Sequence, residues 1–156
     1  MNRITVAVDR YPNIPSSWVT VIRRYLIALL AHLGKNNWDL SVVFCTDSDI
    51  RELNRQFRGK DEATDVLSFP LGESVEEDGE RRYLPGDIVI SLDTLAANAA
   101  YFNVDQNEEL RRLLIHGVLH LDGMDHAGTS LSEPMLRIQE TILASLGPLA
   151  SMPKLP

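Results

Sequence analysis

Residues 116–126 read HGVLHLDGMDH, and this stretch holds three of the four histidines in the chain. His116 and His120 are four residues apart, so on a helix both rings lie on one face, offset by a rise of about 6 Å. Gly123 follows the helical run and can take the left-handed conformation that reverses the chain. Such a turn would bring His126 back towards the other two rings. The spacing therefore predicts three converging imidazoles.

Three nitrogen ligands with an open fourth position are typical of a catalytic zinc site, in which the metal lowers the pKa of a bound water towards neutrality. An isolated pair of histidines at this spacing would be better interpreted as core or surface residues unrelated to metal. The glycine turn and the third histidine favour the metal site, with one ion per chain. Ligand preference alone leaves the metal open, because nickel and copper also accept imidazole.

The helix that carries His116 and His120 is predicted to run from about Gln106 to Leu121, with Asp105 and Glu108 at the spacing of a capping box. Its apolar residues lie nearly all round the helix, which is typical of a buried helix. Buried histidines need polar partners, and a shared metal would supply them.

The same stretch matches the zinc-protease motif HExxHxxGxxH at its first, fifth, eighth and eleventh positions. It departs from that motif at the second position, where proteases carry a glutamate as general base and this chain has Gly117. A metal site without the protease's base indicates a hydrolase of another bond type.

The remaining patterns predict an α+β fold with about four strands and packed helices. The chain is the size of one domain, so we expect a single domain over residues 1–147 and a frayed tail over 148–156. The predicted strands are residues 3–9, 40–45, 66–71 and 87–91, and the last two pair antiparallel across a charged, mobile loop over 72–86. The predicted helices begin at Ser16 or Ser17, at Thr46 or Asp47, at Ser91 or Asp93, near Gln106 and at Ser132.

Composition limits the function classes. The formal net charge is −7, which disfavours broad binding to nucleic acid, so any RNA site must be a local basic patch. Cys45 is the only cysteine and lies in an apolar run, which predicts a buried structural thiol. No long apolar segment is present, and we expect a cytoplasmic protein with no membrane partner.

A row of arginines follows one face of the second predicted helix, at Arg51, Arg55 and Arg58. Such a row is usually a solvated face, and we interpret Arg51 and Arg55 in that way. Arg58 closes the helix beside Gly59 and Lys60.

Residues 116–126 resemble the HGxLHLxGxDH signature of the YbeY family of bacterial metal-dependent endoribonucleases. Further matches are Asn54, Arg58, the segment TDVLSFP over 64–70 and the segment GDIVI over 86–90, so the resemblance spans residues 47–126. It implies an α+β domain with a zinc ion held by His116, His120 and His126. It also implies cleavage of single-stranded RNA, with a role at the 3′ end of small-subunit ribosomal RNA and in ribosome quality control. The partners implied are ribosomal RNA and the ribosome or its small subunit, and no DNA.

From the resemblance we assign Arg58 to substrate binding and to neutralising charge on the reacting phosphate. Asp125 is the candidate for orienting a ligand or moving a proton, with Asp122 and Glu140 as alternatives and a simple turn role for Asp125 also open. Two other functions stay open at this point. One is a metal hydrolase of another bond type, and the other is a non-catalytic ribosome assembly factor whose metal only locks the Gly123 turn.

Overall fold

The computed structural model describes residues 1–125 and 133–149, which form one four-stranded sheet and five helices. The strands are β1 Arg3–Ala7, β2 Trp38–Cys45, β3 Val66–Glu77 and β4 Glu80–Ser91. The helices are α1 Ser17–His32, α2 Asp47–Arg58, α3 Leu92–Tyr101, α4 Gln106–Leu121 and α5 Pro134–Leu146. The predicted α+β fold with a four-stranded mixed sheet is confirmed.

The strand order in the sheet is β1-β2-β4-β3. β1 and β4 both run parallel to β2, and β3 pairs antiparallel with β4 at the edge. Side chains alternate between the two faces of the sheet. One face, including Val42 and Ile88, packs with α1, α3, α4 and α5 in the main core. The other face, including Leu67 and Val89, packs on α2 around Ile50 and Cys45.

Local capping explains where the site-bearing helices start. The Thr46 side chain accepts a hydrogen bond from the Asp49 amide at the start of α2, and the Asp105 carboxylate accepts one from the Asn107 amide at the start of α4. These bonds satisfy amide donors that the first turn of a helix leaves open. Ser16 precedes α1 but makes no capping hydrogen bond through its side chain. The predicted cap Ser132 lies outside the described residues.

The prediction of a mobile loop over residues 72–86 is wrong. These residues continue β3 and β4 into a long hairpin closed by Asp78 and Gly79, which both have positive φ. Asp-Gly is the sequence signal of a two-residue hairpin turn. The prediction of a loop rested on the many charges of this segment, and these charges lie in cross-strand pairs such as Glu76 opposite Arg81.

Arg82 shows why a charged segment can form a strand here. Its side chain is only 4% exposed, and it donates to the Asp39 carboxylate and to the Met1 carbonyl. Arg3 donates to the same Asp39 and to Glu77, so ion pairs connect all four strands at this end of the sheet. Arg82 therefore stabilises the sheet and is not available to RNA.

The last described residue of the chain packs against the core. Leu149 is buried against the main core, and its amide donates to the Asn107 side chain. Most of the tail predicted to be frayed, residues 150–156, lies outside the described residues, and for these the prediction stays a prediction. None of the described helices is long and apolar enough to cross a membrane.

Gly117 lies where α4 packs closest to the sheet. A Cβ atom added there would lie 2.8–3.0 Å from three side-chain carbons of Ile88, which is fully buried on β4. Position 117 therefore faces the sheet and has no room for any side chain. This contact lies in the turn of α4 that carries His116.

Gly117→Ala should lower the free energy of unfolding by about 1–2 kcal/mol. Overpacking typically costs about 1–3 kcal/mol, and the better helix propensity of alanine returns up to about 1 kcal/mol. Urea unfolding of Gly117→Ala, Ile88→Ala and the double variant measures the effect. The double variant should be more stable than the sum of the two single losses predicts, because Ile88→Ala opens the space that the new methyl group needs. Additive losses would show that the contact between positions 117 and 88 is not tight.

Candidate metal centre

His116 and His120 lie in the second half of α4, partly buried and on one face of the helix. Their Nε2 atoms are 3.0 Å apart, and their ring centroids are 4.6 Å apart with the planes at 74°. The i, i+4 spacing therefore places both imidazoles around one point. In a tetrahedral zinc site two ligating nitrogens are about 3.3 Å apart, close to the separation seen here.

The other ring nitrogen of each histidine has an acceptor partner. His120 Nδ1 lies 3.1 Å from the carbonyl oxygen of Met124, and His116 Nδ1 lies 2.7 Å from Oε1 of Gln139. A carbonyl oxygen can only accept, so each Nδ1 carries the proton in a neutral ring and each Nε2 presents a lone pair. Two lone pairs aimed at one another repel, whereas a cation between them is attracted by both. The donor set therefore fits a metal such as zinc.

The turn after α4 has the predicted glycine geometry. Gly123 has φ of +92°, and its amide donates to the His120 carbonyl, while the Met124 amide reaches back to Leu119. This turn also positions the Met124 carbonyl that accepts from His120. The third predicted ligand, His126, lies outside the described residues. Within residues 1–125 and 133–149, no three His, Cys, Asp or Glu side chains are grouped to hold a metal.

Arg58 differs from the other two arginines of α2. Arg51 pairs with Asp61 at 2.8 Å, and Arg55 pairs with Glu52 at 2.5 Å, which confirms that both belong to a solvated ion-paired surface. The Arg58 guanidinium is exposed and donates to the Ser68 carbonyl at 3.4 Å. In the described part of the chain it has no carboxylate within 4 Å. Its positive charge is therefore available to an anion.

The sheet connects Arg58 with the histidine helix. α2 and α4 cover opposite faces of the sheet, but Arg58 reaches the edge strand β3 at Ser68. Ser68 pairs with Ile88 on β4, and Ile88 lies beneath Gly117. Arg58 thus contacts β3, and the turn of α4 that carries His116 contacts the neighbouring strand β4.

Asn54 and Asp65, which are among the residues that carry the family resemblance, stabilise the connection between α2 and β3. Asn54 is buried and donates to the Glu62 carbonyl, which holds the connection against α2. Asp65 accepts from the Val66 amide and from Asn98 of α3. The two residues therefore support the position of Arg58.

The three acidic candidates have different surroundings. Asp125 is exposed two residues beyond the Gly123 turn and directly before His126. Asp122 forms an ion pair with Lys35 at 2.8 Å, and Glu140 is bound by Arg112 and Gln139. Asp122 and Glu140 are thus both engaged in ion pairs with residues of other helices or loops.

Sequence patterns missed Gln139. It is a polar residue on the inner face of α5, and only its contact with His116, 23 residues away, shows that it belongs to this site. Its one local signal is a polar side chain at a helix position that repeats with Met135 and Ile142, both buried.

Cys45 is buried as predicted. Burial is the main cause that raises the pKa of its thiol to about 12, and the nearby carboxylates add to the effect, so the thiol stays protonated.

The sequence and the fold can be compared with those of known proteins. The sequence matches the family described as Endoribonuclease YbeY over residues 7–147. The chain belongs to the YbeY family. A Treponema denticola protein named Endoribonuclease YbeY is 49% identical over 144 residues, which cover 91% of this chain and 92% of the relative. An Aquifex aeolicus protein of the same name is 43% identical, with 80% of each chain covered.

A solved structure supports the fold of this YbeY family member. The solution structure of TM1509 from Thermotoga maritima superposes with a TM-score of 0.61 at 29% sequence identity. The match covers 94% of this chain and 89% of that protein. The sheet and helices described above therefore also occur in an experimentally determined relative.

Proposed function

We propose that this chain is a metal-dependent endoribonuclease that hydrolyses phosphodiester bonds in single-stranded RNA. The observation that carries the proposal is the facing pair His116 and His120, with each Nδ1 bound to an acceptor and both Nε2 atoms aimed at one point. Membership of the YbeY family supports RNA as the substrate. The finer role that we propose is maturation of the 3′ end of small-subunit ribosomal RNA and ribosome quality control in the cytoplasm, in contact with the ribosome.

His116, His120 and His126 would hold one zinc ion. When bound, zinc supplies Lewis-acid chemistry, which polarises a phosphate oxygen or a water molecule. The two described histidines are suited to this role because their outer nitrogens are tied to Gln139 and Met124, which keeps the rings from rotating.

Arg58 would bind the scissile phosphate and neutralise the charge that develops on it. Its contact with the Ser68 carbonyl is long and exposed, so little is lost when the guanidinium turns to a phosphate. A guanidinium also matches two phosphate oxygens at once. Asp125 would take up the proton of the attacking water or orient a ligand, from its exposed position beside the turn.

The direct test is cleavage of a defined single-stranded RNA by zinc-loaded protein, with metal-free protein and a duplex of the same sequence as comparisons. We expect cleavage that requires metal and that is much faster on the single strand. Metal-loaded protein that binds ribosomal subunits but cleaves no RNA would support an assembly factor with a structural metal and would refute the nuclease proposal.

The protein should show no peptidase activity on unfolded polypeptides. Position 117, where zinc proteases of similar motif carry their glutamate base, faces Ile88 and has no space for a side chain. The measurement is release of labelled peptides from casein at the protein concentration that cleaves RNA. Robust casein cleavage that is lost with a chelator and with His120→Ala would contradict this prediction.

A further inference from the structure

Gln139 is a polar side chain in an apolar place. It lies on the inner face of α5 between Met135 and Ile142, and it is only 6% exposed. A buried amide is costly unless both its oxygen and its nitrogen are hydrogen-bonded. Both are: Oε1 lies 2.7 Å from His116 Nδ1, and Nε2 lies 3.2 Å from Oε2 of Glu140.

Glu140 is held in turn by Arg112. The guanidinium donates from Nε to Oε2 at 3.0 Å and from Nη2 to Oε1 at 3.1 Å, a two-point contact. Burial by itself would raise the pKa of Glu140, but the hydrogen bonds from Arg112 and Gln139 outweigh burial and hold the pKa below its ordinary value. Glu140 is therefore an ionised carboxylate, which accepts hydrogen bonds and donates none.

Arg112 is itself fixed from α4. It also pairs with Glu109 at 3.1 Å and with Glu108 at 3.3 Å, and it lies one helical turn before His116. The guanidinium thus bridges α4 to α5 close to the histidine pair. Its position depends on three carboxylates, so the loss of one contact would leave two in place.

These contacts determine which group donates in the hydrogen bonds between Glu140 and Gln139 and between Gln139 and His116. Because Glu140 only accepts, the NH2 group of Gln139 must face it, and the amide oxygen must then face His116. An oxygen acceptor requires the proton of His116 to be on Nδ1. Nε2 of His116 is then the basic nitrogen, and it points towards Nε2 of His120.

We propose that Gln139 is a positioning residue of the metal centre: Arg112 and Glu140 set the direction of its amide, and the amide holds His116 in the tautomer and orientation that present Nε2 to a metal. This inference rests on the metal site put forward under Proposed function. It concerns His116 alone, because the partner of His120 is the backbone carbonyl of Met124. The two histidines thus have different outer partners, and only one partner can be removed by substitution.

The test uses Gln139→Met, which keeps the length of the side chain and removes the acceptor. Zinc affinity, measured by competition with a chelator, should fall on the order of ten- to a hundredfold, the usual effect of losing such an outer partner. In the metal-free protein, long-range 1H–15N spectra should show His116 with its proton on Nδ1 in the wild type and a mixture of tautomers in Gln139→Met. Thermal unfolding confirms that the variants are folded.

Two further variants separate positioning from packing. Gln139→Glu, made together with Glu140→Gln so that two carboxylates do not face each other, keeps an acceptor for His116 and a donor for residue 139, so it should keep the Nδ1-protonated tautomer and lose less zinc affinity than Gln139→Met. Gln56→Met is the matched control, because Gln56 is an exposed glutamine on α2 that donates to Glu52 at 3.0 Å. It should leave zinc affinity and the His116 tautomer unchanged.

The outcomes are distinguishable. Wild-type zinc affinity and an unchanged His116 tautomer in folded Gln139→Met would overturn the role of Gln139. Equal losses in Gln139→Met and in the Gln139→Glu/Glu140→Gln double variant would also overturn it, because an acceptor would then not matter. A wild-type protein that binds no zinc would refute the metal centre itself and this role with it, whereas zinc binding without RNA cleavage would refute only the nuclease.

Discussion

Replacing His120 with alanine should remove zinc from the protein and nearly abolish RNA cleavage. His120 supplies one of the two facing Nε2 atoms, and its loss leaves a site with too few ligands to retain the ion. A metal ion contributes several kcal/mol to transition-state charge stabilisation, so the rate should fall on the order of a thousandfold or more. The measurements are zinc per chain by elemental analysis and single-turnover cleavage of single-stranded RNA. His116→Ala and His126→Ala should behave in the same way.

The chain offers a matched control for the histidine variants. His32 is the fourth histidine and lies exposed in the last turn of α1, outside the 116–126 stretch. His32→Ala should therefore keep about one zinc per chain and full activity. Cys45→Ala should also keep the metal, because Cys45 packs with α2 on the opposite face of the sheet from α4. Full zinc content in a variant lacking all three motif histidines would refute the site.

Replacing Arg58 with alanine should leave the metal and the fold intact and reduce kcat on the order of a hundredfold. The guanidinium is exposed and makes one long hydrogen bond, so the folded protein loses little without it. Removing one donor that acts on transition-state charge typically costs about that factor in rate, with little change in RNA affinity. Arg58→Lys should recover activity only in part, because an ammonium restores the charge but not the planar two-point contact.

Controls for Arg58 lie on the same helix. Arg51→Ala and Arg55→Ala remove the same charge, but those arginines are paired with Asp61 and Glu52. Both variants should cleave RNA at close to the wild-type rate. If Arg58 only positions RNA, its loss should instead weaken binding and lower the salt dependence by about one phosphate contact. Single-turnover cleavage with binding titrations at several salt concentrations separates these cases, and wild-type values in both would remove Arg58 from the site.

The Arg58 prediction also bears on how an acidic protein binds RNA. The net charge of −7 opposes broad, non-specific binding to the phosphates of RNA. Two of the three arginines on α2 are paired with neighbouring carboxylates, whereas Arg58 has no such partner among residues 1–125 and 133–149. We therefore expect RNA to be bound through few phosphate contacts near Arg58 and the metal centre, which gives a shallow salt dependence overall.

Local patterns in the sequence were sufficient for the helix that carries the site. The bounds of α4, its cap at Asp105 and the positive φ of Gly123 all follow from signals a few residues long. The i, i+4 spacing likewise places His116 and His120 on one face without any tertiary information. The hairpin turn at Asp78 and Gly79 was also present as a local signal, although the charges around it suggested a loop.

The sequence by itself determined the α+β fold class, the pairing of His116 with His120 and the difference between this motif and that of the proteases, because each depends on spacing along one helix or strand. Only the tertiary structure decided which groups surround the histidines and Gly117. The Gln139 contact with His116, the Arg112 pair with Glu140 and the packing of Gly117 on Ile88 each join residues more than 20 positions apart. Such contacts depend on how α4 and α5 pack against each other and on the sheet, and no short pattern encodes that packing.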